Sequence, residues 1–292
     1  GGNANSSGNG GGGSGGHVAL YYNSASYAGG VRGIGLSAQA GTNAGTTAKQ
    51  NLYTAGSGTV FYKAAADTIG NLVIDNGTLP HVQGAETPIP LADVFDSIST
   101  RGTATFLIPS AQTYQLLTPT LTYRLAVAGT LTLPSAAPAN SVNLVIDSGG
   151  YFEWRRSDSL NQYTSIDVRS NGVLTHSLNL NSTPDYELDI AATSVAVEGK
   201  ISADGAGYTP GNGSSGAGSD SGGGYGGSGG QFPVAVTTVR GSAVDIDPKN
   251  PSDLGNPGAG TTAGSGGGRI QITTSNLNLT GTISANGGPG SG

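Results

Sequence analysis

Apolar and polar positions alternate along this chain in short blocks. Residues 17–23 (HVALYYN) put Val18, Leu20 and Tyr22 on one face and small or polar residues on the other. That is the two-residue period of a half-buried strand. Similar blocks stand at 59–62 (TVFY), 71–75 (NLVID), 103–108 (TATFLI) and 123–133 (YRLAVAGTLTL). More follow at 143–147 (NLVID), 151–154 (YFEW), 165–168 (SIDV), 172–180, 186–190 and 194–197. Glycine, Asn and Asp mark the breaks, and prolines fall between blocks, where a hydrogen-bonded ladder tolerates them. A helical period is almost absent; residues 91–98 (LADVFDSI), after a proline, offer a single turn at most. The pattern predicts an all-β chain.

Repetition separates two all-β architectures. NLVID occurs at 71–75 and again at 143–147, while ISADG at 201–205 is echoed by ISANG at 283–287 and LSAQAG at 36–41. Hairpins closed by Asn-Gly turns would give a β-sandwich, the alternative. Motifs that recur with one polarity suit a solenoid, where equivalent residues of successive coils stack about 4.8 Å apart. The expectation is a right-handed parallel β-helix with rungs of roughly 20–25 residues. It would be one elongated unit over 1–292, with long glycine-rich loops near 1–16, 205–230, 255–268 and 287–292. Its core would include Leu72, Ile74, Leu125, Val127, Leu131, Leu144, Ile146, Ile166, Val168, Leu188, Val195, Val197, Ile270, Ile272 and Ile283.

The two ends of the chain complement each other. Residues 277–292 (LNLTGTISANGGPGSG) run from strand into glycine loop, and residues 1–22 run from glycine loop into strand. The same layout occurs internally, where 195–205 (VAVEGKISADG) leads through a glycine run to FPVAVTTV. The termini therefore read as halves of one internal loop, as expected of a unit in a tandem array or a head-to-tail polymer. The assembly ends would be His17, Val18, Leu20 and Tyr22 at one side and Leu277, Leu279 and Ile283 at the other. The chain has no methionine, which suggests a segment internal to a longer chain or a processed piece.

Composition narrows the partners. Glycine supplies 52 of 292 residues without a Gly-X-Y period, so collagen is excluded. With 12 Lys+Arg against 18 Asp+Glu, the net charge is −6, and no basic stripe exists to hold nucleic acid. No apolar run reaches the roughly 18 residues of a membrane span, so membrane insertion is not expected. No cysteine is present, which removes disulfides and thiol chemistry. Few Lys and Glu among abundant Gly, Ser, Thr and Asn suggest an extracellular, cell-surface protein.

GTISANGG before a glycine loop, GGRIQI, NLVIDSGG and GGGYGGSGG together resemble the glycine-rich repeats of very large bacterial and archaeal cell-surface proteins. The resemblance spans the chain. It implies β-helix rungs alternating with glycine loops and an extracellular structural or adhesive role, and it carries over no catalytic residue.

Candidate chemistry is thin. GGGYGGSGG at 222–230 lacks the Lys and the following helix of a phosphate cradle; its glycines suit either a surface loop or extended segments packed together. Asp245, Asp247 and Asp253 form the densest acidic cluster. Closely spaced carboxylates are calcium ligands, but Lys249 sits among them, so a solvated loop is the first reading and calcium the second. Glu153, Trp154, Arg155, Arg156 and Asp158 form the one charged-aromatic group. A glycosidase would need paired carboxylates on one face; a salt-bridged rung explains the group, and Trp154, Arg155 and Arg156 are candidates for glycan contact. His17, His81 and His176 lie apart from one another. Asn5, Asn76, Asn181, Asn212 and Asn278 each begin an N-x-[ST] triplet, which chance supplies in such a composition.

The expected function is a structural repeat unit of an extracellular filament, sheath or stalk whose partners are copies of itself, head to tail. It would be neither an enzyme nor a cofactor protein. A different class of reading is an adhesin or phage-fibre module that binds surface polysaccharide; a carbohydrate-active enzyme comes third.

Overall fold

A computed structural model describes residues 13–23, 37–41, 55–77, 79, 85–88, 95–115, 120–121, 123–128, 130–132, 143–161, 163–212, 223–224, 228–229, 241–243, 247, 249, 251–260 and 263–290. These residues are all-β, with no helix among them. The strands are β1 (His17–Tyr22), β2 (Thr59–Ala64), β3 (Asn71–Asp75), β4 (Thr87–Pro88), β5 (Ser97–Arg101) and β6 (Phe106–Ile108). Next come β7 (Thr113–Gln115), β8 (Thr120–Leu121), β9 (Arg124–Val127), β10 (Thr130–Thr132), β11 (Asn143–Ile146) and β12 (Tyr151–Trp154). The last are β13 (Ser165–Val168), β14 (Val173–His176), β15 (Leu188–Val197), β16 (Lys200–Ser202), β17 (Ile270–Leu279) and β18 (Thr282–Ser284). The chain packs as two compact units, residues 1–115 with 122–132, and residues 116–121 with 133–292. The candidate turn at 91–98 lies partly outside the described residues, and its last two residues open strand β5.

The first unit has a mixed sheet in the order β1-β2-β3-β5. β1 runs parallel to β2 and β3 parallel to β5, but β2 and β3 are antiparallel. This corrects the expectation of parallel strands throughout. A parallel crossover needs about a dozen residues or more, and only residues 65–70 join β2 to β3. Asp67 ties that short link, its Oδ2 accepting from Ala64 N at 2.8 Å and Asn71 Nδ2 at 3.0 Å. Two further parallel ladders, β4-β6-β9 and β7-β10, complete this unit.

The second unit stacks its strands in parallel and in register. One ladder runs β8-β11-β13-β15-β17 and the other β12-β14-β16-β18. Leu144 pairs with Ile166, Ile166 with Val195, and Val195 with Leu277. Ile146, Val168, Val197 and Leu279 form the companion column, and Phe152, Leu174, Ile201 and Ile283 the inward column of the other ladder. Apolar side chains thus fall on one line because each strand repeats the same alternation. The echo between ISADG and ISANG is such a stacking: Ile201 pairs with Ile283 and Ser202 with Ser284, and Gly205 N donates to Asn286 O at 2.7 Å.

Corners between the two ladders are glycine columns. Val173 N donates to Gly150 O, Lys200 N to Gly172 O and Thr282 N to Gly199 O, each at 3.0 Å. A Cβ on Gly199 would lie 2.3 Å from Arg169 O, and one on Gly281 2.2 Å from Gly199 O. No side chain fits where backbone approaches backbone this closely.

β15 joins two expected strands, 186–190 and 194–197, into one ten-residue strand. No glycine or proline interrupts residues 190–194. A bulge bends it instead: Thr193 N and Ser194 N both donate to Thr164 O, at 2.9 and 3.3 Å. The extra residue shifts the inward parity from Leu188 and Ile190 to Val195 and Val197, all four fully buried. Among the expected core residues, Leu72, Ile74, Leu125, Val127, Leu144, Ile146, Ile166 and Val168 are likewise buried. Ile270, Ile272 and Ile283 are only half-buried, because they lie on the last level of their ladders. The Leu131 side chain lies outside the described residues.

Candidate functional site

The ladders of the second unit stop on open strands. β17 ends one and β18 the other, with no further strand beyond them among the described residues. The consequence shows in the columns. Val195 and Val197 are 0 % exposed, whereas Leu277 and Leu279, one level on, are 52 % and 47 % exposed. An inward side chain needs a level on each side to be covered, and these have a level on one side only. Ile283 on β18 is half-buried for the same reason.

The first unit also has an open strand. β1 occupies the end of its sheet and pairs only with β2 among the described residues. Val18, Leu20 and Tyr22 alternate inward against a cluster of Ala38, Val60, Tyr62 and Val73. His17 Nδ1 lies 2.6 Å from Thr59 Oγ1. Tyr21 points the other way and is 70 % exposed, its ring 5.6 Å from that of Phe61. All seven residues expected at the assembly ends thus fall on β1, β17 or β18, each a terminal strand of its sheet.

A clamp that sequence reasoning missed holds the last level down. Asp204 accepts from Asn286 N at 2.7 Å, Asn286 Nδ2 at 2.9 Å, Ser284 Oγ at 2.8 Å and Lys200 Nζ at 2.7 Å. Partial burial works against its charge, but Lys200 and the donors from Asn286, Ser284 and Ser202 outweigh it and hold its pKa well below the usual carboxylate value. The signal was present: Asp204 and Asn286 are the variable residues of ISADG and ISANG.

The glycine-rich segments among the described residues pack together rather than standing as separate loops. Segments 203–208, 255–258, 263–268 and 285–288 bond backbone to backbone. Gly207 N donates to Gly266 O at 2.9 Å, Tyr208 N to Gly255 O at 3.1 Å, and Gly255 N to Gly267 O at 2.8 Å. Gly268 N reaches Ala203 O at 2.7 Å, and Gly288 N reaches Ser265 O at 2.8 Å.

The other candidates are occupied with local structure. Trp154 is 3 % exposed and donates its Nε1 to Asp158 O at 2.9 Å. Arg155 Nε pairs with the buried Glu153 at 2.9 Å. Arg156 lies 5.5 Å from the Trp154 ring centre and pairs with Asp158 at 2.5 Å. That bond raises the Arg156 pKa and lowers that of Asp158. The ring of Trp154 is therefore covered, and the arginines already hold carboxylates. Asp245 lies outside the described residues. Asp247 accepts from Lys249 N, while Asp253 accepts from Tyr208 Oη and Leu254 N. Among the described residues no three His, Asp or Glu gather as a metal set.

His176 is buried in the second unit, with Nδ1 2.9 Å from Ser177 O and Nε2 without a hydrogen-bond partner. Burial pushes its pKa down to about 4, against the pull of Ser177 O and the charge of Glu153. His81 lies outside the described residues.

The chain matches no protein family, no curated protein and no solved structure.

Proposed function

We propose that this chain is a structural repeat unit of an extracellular filament, sheath or stalk, assembled head to tail from copies of itself. On this reading the second unit is a stretch of right-handed parallel β-helix, each rung one strand from either ladder joined through a glycine corner. The observation that carries it is the open edge of β17, where Leu277 and Leu279 are half exposed above the sealed Val195 and Val197. Soluble proteins usually protect such an edge with charge, proline or a covering element. β17 reads IQITTSNLNL, with no charge and no proline, and no strand covers it among the described residues. Solenoids usually end in a polar cap, and an uncapped end is what a further rung needs. Sparse charge, at 10 % of residues, suits close packing of copies. Abundant Gly, Ser, Thr and Asn support an extracellular setting.

A glycan-binding reading has one observation in its favour. A shallow cleft of about 280 Å³ is lined by Tyr21, Tyr22, Asn23, Lys63, Ala64 and Ala65, and its exposed phenol ring could stack on a sugar.

Electron microscopy and sedimentation of the purified chain test the proposal. Linear particles that lengthen with concentration support it, and Leu277→Lys with Leu279→Lys should abolish them while leaving a folded β spectrum. A monomer at every concentration that binds surface polysaccharide would favour the second reading instead.

A further inference from the structure

We infer that the strand completing the ladder at β17 is β1 of a second copy, parallel and in one register: Asn276 beside His17, Leu277 beside Val18, Asn278 beside Ala19, Leu279 beside Leu20. The inference rests on the assembly reading and goes further, naming the partner strand and its frame.

The levels of the second unit share a four-residue frame of polar, apolar, variable, apolar. Asn143-Leu144-Val145-Ile146 pairs with Ser165-Ile166-Asp167-Val168, and that with Ser194-Val195-Ala196-Val197. The last level is Asn276-Leu277-Asn278-Leu279. The next strand must repeat the frame, since a slip of one residue turns every apolar side chain to the wrong face. It must also have an edge to offer. β3 fits the frame with Asn71-Leu72-Val73-Ile74, but β2 and β5 occupy both its sides. β5 lies at the end of its sheet but reads Ser97-Ile98-Ser99-Thr100, with a hydroxyl in the second apolar place. β1 satisfies both conditions. It reads His17-Val18-Ala19-Leu20, has Val18 and Leu20 facing its cluster, and carries no strand on its outer side among the described residues.

The surroundings agree. Residues 13–16 (GSGG) lead into β1 much as residues 264–268 (GSGGG), followed by Arg269, lead into β17. Both runs approach backbone closely: a Cβ on Gly15 would lie 2.0 Å from Ala38 O, and one on Gly264 1.9 Å from Gly288 O. The contact joins two different surfaces, so it can propagate without closing.

The chain contains no cysteine, which permits a clean crosslinking test on the full chain. Ala19→Cys with Asn278→Cys puts two exposed thiols on neighbouring strands at about 4.8 Å, within disulfide range. Ala19→Cys with Asn276→Cys places them about two residues out of register, at roughly 8 Å, beyond it. Under mild oxidation the first pair should give a ladder of covalent multimers on a non-reducing gel, and the second should give none. His17→Cys with Asn276→Cys tests the same register should the first variant misfold. Filaments by microscopy without crosslinks in either in-register pair would overturn this partner and leave the assembly reading standing. Crosslinking by the out-of-register pair would overturn the register. Neither filaments nor crosslinks would overturn both.

Discussion

Arg169 reaches back one level of its ladder to place Nη1 3.3 Å from Asp147 Oδ2. The first unit repeats the relation, with Arg101 Nη1 3.7 Å from Asp75 Oδ2. Each Asp ends an Asn-Leu-Val-Ile-Asp run, and each Arg ends a run that begins Ser-Ile. The corners that follow differ by one residue. Gly150 N closes a turn onto Asp147 O, whereas Asn76 N still bonds Arg101 O and the turn closes from Leu79 N to Asn76 O. Equivalent strands therefore lead into unlike turns.

The two ion pairs should differ in weight. Arg169 and Asp147 are 48 % and 35 % exposed at the side chain, so Asp147→Ala should destabilise by less than about 1 kcal/mol. Asp75 is 12 % exposed at the side chain and also accepts from Gly77 N at 2.7 Å. Asp75→Ala should cost about 1–3 kcal/mol, because it removes a charge-assisted hydrogen bond between the buried Asp75 and the half-buried Gly77 amide. Urea midpoints of the two variants decide the order.

Depth in the stack should decide the effect of trimming a leucine. Leu144→Ala removes a fully buried side chain and should cost about 2–5 kcal/mol. Leu277→Ala, at a position 52 % exposed, should change the stability of an isolated copy by less than about 1 kcal/mol. It should nonetheless weaken self-association, read as a raised critical concentration. Equal losses of stability at both positions would contradict an open end.

Corner glycines should be intolerant where backbones meet. Gly199→Ala places its methyl 2.3 Å from Arg169 O and should destabilise by about 1–3 kcal/mol or more. Gly16→Ala meets nothing within 4 Å and should be close to neutral. Thermal melts of the two variants give the comparison directly.

Acid should weaken the second unit through His176. Its folded pKa, about 4, lies below the ordinary 6.5, so the unfolded chain takes up a proton first as pH falls. The stability His176 retains above pH 6.5 is lost as pH drops towards 4, a loss on the order of 3 kcal/mol. His176→Gln should flatten the stability–pH curve over that window. Asp204, whose folded pKa is depressed, contributes stability that is lost only below about pH 4.

Much of this fold is legible in the sequence because parallel stacking copies one pattern from level to level. β1 spans 17–22 as its alternation predicts, NLVID marks β3 and β11, and the ISADG–ISANG echo is a direct stack. The hairpin between β2 and β3 is hidden, because strand direction depends on the length of a link whose turn residues differ little from those of a corner. Ile270, Ile272 and Ile283 carry the core pattern yet lie half exposed, since alternation tells which face is inward and not how many levels cover it. The Asp204 clamp depends on a group far along the chain, Asn286, and local pattern does not reach that far.

Diffraction from oriented concentrated material reads the stacking of copies through β17 itself. Copies stacked through β17 place their strands across the long axis, so a meridional reflection near 4.8 Å is expected together with an axial repeat of one whole unit. Unoriented particles of single-copy mass, with no such reflection under conditions that preserve the β spectrum, would contradict it.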